Sequence, residues 1–296
     1  KPIKLEKDMK VSELVEQMSN AGFGSRKIGI AKKIAEKMFS DNCNVFLGLA
    51  GAMIPAGMKK IIIDLIKSDK IHVLVTTGAN LTHDLVEALG HEHYHCDFWN
   101  DEDFNKKSYD RIYNVLMKNQ VYEDLENFFK KNWEKLKQTK NIKDLLKKIG
   151  SLLPENSESI LRTCYDKKIP IYCPALADSG IGLMIWGRLA EGKNINIDAF
   201  EDMKEIIDFS WTSKTKAVIY VGGGTPKNFI QQSLQFSSGA DYGIQITTDI
   251  AESGGSSGAP LEEGKSWGKL KNTADYVDVK CDATIALPLI FSEFVE

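Results

Sequence analysis

The chain lacks the cysteine pairs, the basic excess and the long apolar runs that mark several common protein classes. Its five cysteines are scattered over 296 residues without a Cys-x-x-Cys pair, which favours free thiols in a reducing compartment. The formal net charge of −3 at pH 7 gives no electrostatic reason for nucleic-acid binding. We find no secretory signal and no run long enough to cross a bilayer. We therefore expect a cytoplasmic protein without a nucleic-acid or membrane partner.

Apolar, β-branched runs alternate with helical patterns along the chain, which predicts an α/β fold. Two strand–turn–helix units follow one another near residues 44–66 and 71–89, and this succession favours a mostly parallel sheet with helices on both faces. The other predicted strands are 169–173, 216–221, 242–248 and 276–281, and the other predicted helices are 11–18, 27–39, 199–209 and 285–294.

The length suffices for one large domain, and we predict a single domain over residues 1–296. Residues 1–10 are polar and are predicted to form an N-terminal arm. Residues from about 104 to 168 are charged and show helical periodicity, so we predict a helical insertion there.

Small or polar residues follow most of the predicted strands. In parallel sheets ligands bind at the carboxyl ends of the strands, where glycines and hydroxyls can surround phosphates. The Gly-x-Gly-x-x-Gly pattern is missing, so a dinucleotide and a set of ordinary turns both remain open. The residues concerned are Gly51, Thr77 to Ala79, Asp178, Gly222 to Gly224, Thr248, Asp249, Asp282 and Ala283.

Three histidines alternate with other residues at His91, His93 and His95. On a strand they would share one face and could bind a metal. A packed or exposed cluster is the alternative, and no other ligand set stands out, so we predict no metal site.

The stretch from Ser256 to Lys269 combines small residues, carboxylates, an aromatic ring and lysines. Glu263 can bind an amine through a charge-assisted hydrogen bond, and Trp267 can hold a cation on its ring face. If Lys269 is desolvated beside Trp267, it loses part of its charge and becomes a nucleophilic amine. This combination indicates polyamine binding and imine chemistry, whereas the alternative is a solvated loop with a charge pair.

Several segments, which together extend over nearly the whole chain, resemble the deoxyhypusine synthase family, and Ser266-Trp267-Gly268-Lys269 is the most specific of them. The pattern from Thr77 to Asp84 is similar to the divergent prokaryotic branch of that family. The other segments are Phe46-Leu47-Gly48, Val75-Thr76-Thr77, Pro174-Ala175-Leu176 with Asp178, Val221 to Lys227, Gly239 to Tyr242, Glu263, Asp282-Ala283-Thr284 and Pro288-Leu289.

This resemblance implies a Rossmann-like fold, a homotetramer and NAD-dependent aminobutyl transfer from spermidine to a lysine of the hypusine-bearing translation factor. It implies that Lys269 is the nucleophile and that Trp267 and Glu263 hold the polyamine. The positions it assigns to NAD are Thr77, Gly78, Ala79, Asp178, Gly223, Thr248, Asp249, Asp282 and Ala283.

The chain departs from the family at the predicted amine site. Family members with deoxyhypusine activity usually carry acids at the positions of His83, Leu183 and Ser256, and a histidine at that of Asn228. We keep His83, Asn228 and Ser256 as predicted substrate-binding positions. Four acids are candidates to compensate for the loss, namely Asp84, Asp249, Glu252 and Glu262.

Three functions remain compatible with these residues. The first is a deoxyhypusine synthase. The second is a homospermidine synthase type of enzyme, which transfers the aminobutyl group to putrescine. The third is a binding protein that holds NAD or a polyamine without turnover. The Trp267 and Lys269 pair argues against the third function, and the missing acids argue for it.

Replacing His83 by Glu is expected to tighten spermidine binding. The variant adds a carboxylate where the family uses one, and a hydrogen bond to a charged group contributes about 1.5–3 kcal/mol. Calorimetric titration of both proteins with spermidine measures the difference. Equal affinities would show that the amine site is built on other residues.

Overall fold

A six-stranded parallel sheet forms the centre of the molecule in the computed structural model, which describes residues 1–295. Within these residues the strands are β1 Asn44–Leu49, β2 Val73–Thr76, β3 Tyr94–His95, β4 Tyr109–Ile112, β5 Val115–Lys118, β6 Ile171–Tyr172, β7 Lys216–Val221, β8 Ala240–Thr247 and β9 Leu270–Lys280.

Helices connect the strands and make up much of the rest of the chain. They are α1 Val11–Met18, α2 Phe23–Ser40, α3 Lys59–Lys67, α4 Gly78–Ala88, α5 Asp101–Lys106, α6 Gln120–Leu136, α7 Ile142–Leu152, α8 Ile160–Lys167, α9 Gly180–Ala190, α10 Ala199–Thr212, α11 Gly224–Gln235, α12 Glu263–Ser266 and α13 Ala283–Phe291. Within residues 1–295, none of them combines the length and the apolar composition that a bilayer crossing requires.

The strand order of the large sheet is β6-β2-β1-β7-β8-β9, and every neighbouring pair is parallel. The chain builds outward from β1 through β2 to β6, and then returns to the other side of β1 with β7. The connections therefore diverge between the carboxyl ends of β1 and β7, which is where open α/β sheets bind ligands. The short strands β3, β5 and β4 form a separate antiparallel sheet.

Successive residues of β1 belong to two different apolar layers. Val45, Leu47 and Leu49 pack in the larger core cluster, together with residues of α2, α3 and α13. Phe46 points to the opposite face, where it packs in a second cluster with Ile230 of α11. This alternation follows from the two-residue period of a strand. The predicted α/β fold, with a parallel sheet covered on both faces, is therefore confirmed.

The two longest helices that were not predicted are α9 and α11, because glycine and proline mask their helical pattern. In α11 the proline, Pro226, lies in the first turn, where a helix needs no N–H from it. In α9 a Cβ atom on Gly182 would lie 2.4 Å from the carbonyl oxygen of Ala177. Close packing therefore explains a glycine that otherwise weakens the helical pattern.

The helical insertion predicted at about 104–168 is not helical in its first part. Strands β4 and β5 form a hairpin there, with Ile112 paired to Val115, and only α6, α7 and α8 continue the helical pattern. Tyr113 in the turn has a φ of 52°. The short aromatic and β-branched runs on both sides of it suit strands better than helices. Residues 1–10 contain no helix or strand.

Asp84 joins two helices in the interior. Its fully buried carboxylate accepts hydrogen bonds from the Ser159 hydroxyl at 2.7 Å and from the backbone N–H groups of Ile160 and Leu161 at 2.8 and 2.9 Å. These groups begin α8, so the carboxylate supplies acceptors to N–H groups that have no partner within the helix.

Replacing Asp84 by Ala is expected to lower the free energy of unfolding by about 2–3 kcal/mol, since it leaves buried donors without acceptors. Urea denaturation measures this loss. The matched control is Glu134→Ala, whose side chain is 75% exposed and whose removal should change stability by about 0.5 kcal/mol or less. If Asp84→Ala lowered the free energy of unfolding by as little as the control, Asp84 would not be the acceptor that stabilises the start of α8.

Candidate active site

The turns after β1 and β7 lie side by side at the carboxyl edge of the sheet. The backbone N–H of Ala50 donates to the carbonyl of Val221 at 2.9 Å, and that of Gly222 donates to Ile246 at 2.8 Å. The strand order diverges at this point, so the position is the one where such sheets bind ligands.

Four helices begin at this edge. Thr77 precedes α4 and accepts from the Asn80 N–H at 3.3 Å, and Asp282 precedes α13 and accepts from the Thr284 N–H at 2.7 Å. Helices α9 and α11 start just after Asp178 and at Gly224. Each helix start directs N–H groups and a positive dipole end toward the edge, which favours phosphate groups there.

All nine positions that the family resemblance assigns to NAD follow a strand's carboxyl end. Residues 77–79 come after β2, Asp178 after β6 and Gly223 after β7. Thr248 and Asp249 come after β8, and Asp282 and Ala283 come after β9.

The loop of residues 254–260, which we call the site loop, packs directly on the turn after β7. A Cβ atom on Gly223 would lie 2.2 Å from the Cα atom of Ser257, so only glycine permits this approach. The buried ammonium group of Lys227 donates to the carbonyls of Ser256 at 2.7 Å and Ala259 at 2.6 Å. The Gln245 amide also donates to Ala259, at 3.0 Å.

The site loop continues into the short helix α12, which carries the predicted amine-binding residues. Glu263 begins this helix. The turn at Gly268, with a φ of 70°, then brings the Lys269 N–H within 2.8 Å of the Gly264 carbonyl. The Lys269 ammonium lies 4.9 Å from the centre of the Trp267 ring. Lys269 is half-buried and Trp267 is 55% exposed, so this aromatic–cation pair can be reached by a substrate.

The sequence pattern named Deoxyhypusine synthase matches residues 13–294. The chain belongs to the deoxyhypusine synthase family. It is 45% identical to "Probable deoxyhypusine synthase 1" of Methanosarcina acetivorans, with 99% of this chain and 93% of that protein covered. It is 42% identical to "Probable deoxyhypusine synthase 1" of Archaeoglobus fulgidus, with 99% and 96% covered.

Solved structures share the fold of this deoxyhypusine synthase family member. A crystal structure from Entamoeba histolytica that carries the deoxyhypusine synthase name superposes with a TM-score of 0.67 and 20% identity, and the match covers 97% of this chain and 93% of that one. AgrE, solved in complex with ornithine and NAD+, gives a TM-score of 0.58 at 10% identity, over 93% of this chain and 34% of that one.

Lys227 is the residue of this deoxyhypusine synthase family site that sequence reasoning missed. Burial lowers its pKa to about 8; Asp278 and Glu263 oppose this lowering, and Lys269 adds to it. The signal in the sequence was a lysine close to Pro226, Phe229 and Ile230, whose side chains are buried.

Two of the acids that we considered as compensation are engaged in structural contacts. Asp84 faces the start of α8 and is fully buried, so the hypothesis that it binds the amine is wrong. Asp249 accepts hydrogen bonds from the Ser257 hydroxyl and from the N–H of Ile250. The hydrogen bond from Ser257 lowers the pKa of Asp249, so this carboxylate holds the site loop in place.

The three predicted substrate positions have different surroundings. His83 hydrogen-bonds to His93 at 2.9 Å. Asn228 lines a cavity of about 290 Å³ beside Phe200 of α10. Ser256 contributes its carbonyl to the contact with Lys227.

The histidines at 91–95 do not share one face. Only Tyr94 and His95 form a strand. His91 bonds Asp124 at 2.9 Å, His93 turns inward toward α4, and His95 lies 3.4 Å from the exposed Asp97. Within residues 1–295, no group of three histidine, cysteine or acidic side chains has metal-binding geometry.

Replacing Lys227 by Met is expected to change how stability depends on pH. Between about pH 8 and 10.5 the unfolded lysine binds a proton that the folded one has lost, so the free energy of unfolding of the wild type rises with pH. The Met variant lacks this contribution. Its stability relative to the wild type should therefore fall as the pH rises from 8 to 10.

Chemical denaturation at both pH values measures the difference. Lys214→Met, which replaces an exposed lysine, serves as the control. Its free energy of unfolding should depend on pH in the same way as that of the wild type. A constant difference between Lys227→Met and the wild type would show that the pKa of Lys227 is not lowered in the folded protein.

Proposed function

We propose that this protein is an NAD-dependent deoxyhypusine synthase, which transfers the aminobutyl group of spermidine to a lysine of the hypusine-bearing translation factor. The observation that carries this proposal is the position of the Lys269 ammonium over the Trp267 ring, directly after the helix that starts at Glu263. A nucleophilic amine, an aromatic face and a carboxylate are the groups that imine transfer from a polyamine requires.

Lys269 acts as the covalent carrier in this proposal. After giving up a proton, the Lys269 amine adds to the carbon of the substrate imine, the C–N bond to diaminopropane breaks as that amine leaves with a proton, and the aminobutyl group stays on Lys269 as an imine. The amine of the acceptor then displaces Lys269 in the same way. Glu263 and Trp267 hold the cationic end of the chain during both transfers.

NAD fits the edge of the sheet. When bound there, NAD would supply the hydride chemistry of the reaction, namely oxidation of the amine to an imine and the final reduction of the transferred imine. Thr77, Gly78, Ala79, Gly223 and Ala283 surround the helix starts that would hold its phosphates. Asp178 and Asp282 are exposed carboxylates suited to ribose hydroxyls, and Thr248 and Asp249 close the same edge after β8.

A homospermidine synthase reaction, with putrescine as the acceptor, is the second candidate. The observation that favours it is the lack of carboxylates at three positions of the amine site. At the first position, His83 forms a hydrogen bond with a second histidine, His93. At the second, Leu183 is apolar and 55% exposed. At the third, the backbone carbonyl of Ser256 accepts a hydrogen bond from Lys227. A site with fewer charges would bind a smaller, less charged amine more readily.

The exposed apolar side chains beside the edge support association with further copies of this chain, as in the homotetramer that the family resemblance implies. Leu183 and Trp186 stand one turn apart on α9, and Ile250 and Ile285 follow β8 and β9. All are more than half exposed in the single chain, as is Trp267. We propose that a second copy covers this rim.

The five cysteines are free thiols, which suits the cytoplasm as the site of the reaction.

A transfer assay tests the acceptor. The protein is incubated with NAD and spermidine labelled in its aminobutyl part, together with either the translation factor or putrescine. Label on the factor supports deoxyhypusine synthesis, and label only on a small polyamine assigns the reaction to homospermidine synthesis. No transfer to either acceptor would refute both and leave a binding protein.

Replacing Lys269 by Ala is expected to abolish transfer to any acceptor, because no covalent imine can form. Lys265→Ala is the matched control: this lysine lies four positions earlier, 4.6 Å from the centre of the Tyr276 ring, and its removal should leave the rate nearly unchanged. Transfer that survives in Lys269→Ala would contradict the assignment of the nucleophile.

A further inference from the structure

A continuous chain of hydrogen bonds runs from a carboxylate through two imidazoles. Glu87 Oε1 lies 2.7 Å from His93 Nδ1, and His93 Nε2 lies 2.9 Å from His83 Nδ1. The other oxygen of Glu87 pairs with the ammonium group of Lys59. The His93 side chain is only 5% exposed, so the middle of this chain is held by packing as well as by hydrogen bonds.

The proton positions in this chain follow from its carboxylate end. Although burial alone raises the pKa of Glu87, hydrogen bonds from His93 and Lys59 lower it overall. An ionised carboxylate can only accept, so His93 must carry its proton on Nδ1. When the His93 ring is neutral, its Nε2 is then an acceptor, and His83 must donate to it from Nδ1.

The far nitrogen of His83 is therefore left with a lone pair. Within residues 1–295 this nitrogen has no hydrogen-bond partner. It is also not one of the side-chain atoms that are both unpaired and completely shielded from solvent. Burial lowers the pKa of His83 to about 4, so the ring is neutral near pH 7. A neutral acceptor can bind an ammonium group without repelling it.

Building on the proposed function, we infer that Glu87 and His93 are positioning residues that hold His83 in the Nδ1–H tautomer, with Nε2 free to accept a hydrogen bond from the substrate amine. This assigns a role to His93, the one histidine of the 91–95 run that turns inward. It also explains how a histidine can serve at a position where a carboxylate would otherwise bind the cation. A fixed tautomer matters because the other one would present an N–H donor to an ammonium group.

Two variants of His93 separate this role from packing. His93→Leu removes both hydrogen bonds and frees His83 to adopt either tautomer. His93→Gln keeps both, since its amide N–H can donate to Glu87 and its carbonyl can accept from His83. His95→Leu is the control, because His95 is 65% exposed and lies outside the chain of hydrogen bonds.

The first measurement is nuclear magnetic resonance of the full-length wild type with ¹⁵N-labelled histidine at pH 7.5. His83 is assigned by comparison with His83→Gln. We expect a neutral ring with the proton on Nδ1. An Nε2–H tautomer or a charged ring would overturn the inference without any use of activity.

The second measurement is the KM for spermidine in the NAD-dependent reaction. We expect His93→Leu to raise KM by roughly tenfold or more, the effect of losing a hydrogen bond to a charged group, with little change in kcat. His93→Gln and His95→Leu should stay close to the wild type. An unchanged KM in His93→Leu would overturn the inference and leave the proposed function intact. A wild type that does not turn over spermidine would refute the proposed function, and the inference with it.

Discussion

The buried ammonium group of Lys227 is the contact on which the candidate site depends. It donates to two carbonyls of the site loop, and its burial is costly enough to lower its pKa to about 8. A buried charge is tolerated only where partners compensate for lost hydration. The two carbonyls and the nearby Asp278 provide that compensation, so the loop and the lysine stabilise each other. The loop leads directly into α12, so this contact also positions Glu263, Trp267 and Lys269.

The parallel sheet supplies the other half of the site. Because all six strands point the same way, the turns that follow them meet at one edge, and four helices start there. Glycines, hydroxyls and carboxylates from distant parts of the chain therefore lie along this edge. The predicted amine-binding residues Glu263, Trp267 and Lys269 come from one short segment beside it. The edge predicted to hold a cofactor and the loop that leads to this segment meet where the site loop packs on Gly223.

Particular residues show why some of this could be predicted and some could not. The strand at 216–221 was predicted with its observed bounds, since a strand buried on both faces appears as a continuous apolar run. Trp267 and Lys269 are two positions apart in the sequence. Their contact could be predicted because a tight turn is enough to bring the two side chains together. The hairpin at 109–118 was missed because its strands are short and lie between charged helices. Asp84 and His83 are neighbours in sequence, yet helix geometry turns one toward α8 and the other toward His93.

The sequence by itself determined the six strands of the large sheet, their parallel arrangement, the turns along the edge of the sheet and the groups that stand close together between Glu263 and Lys269. These features follow from local periodicity and from groups close together in the chain. Only the tertiary structure decided the partners of the titratable side chains. The chain of hydrogen bonds from Glu87 to His83, and the contact of Lys227 with the site loop, join elements that pack together without any repeating sequence signal. Burial and hydrogen bonding in that packing set the pKa values and the tautomers, and no local pattern carries that information.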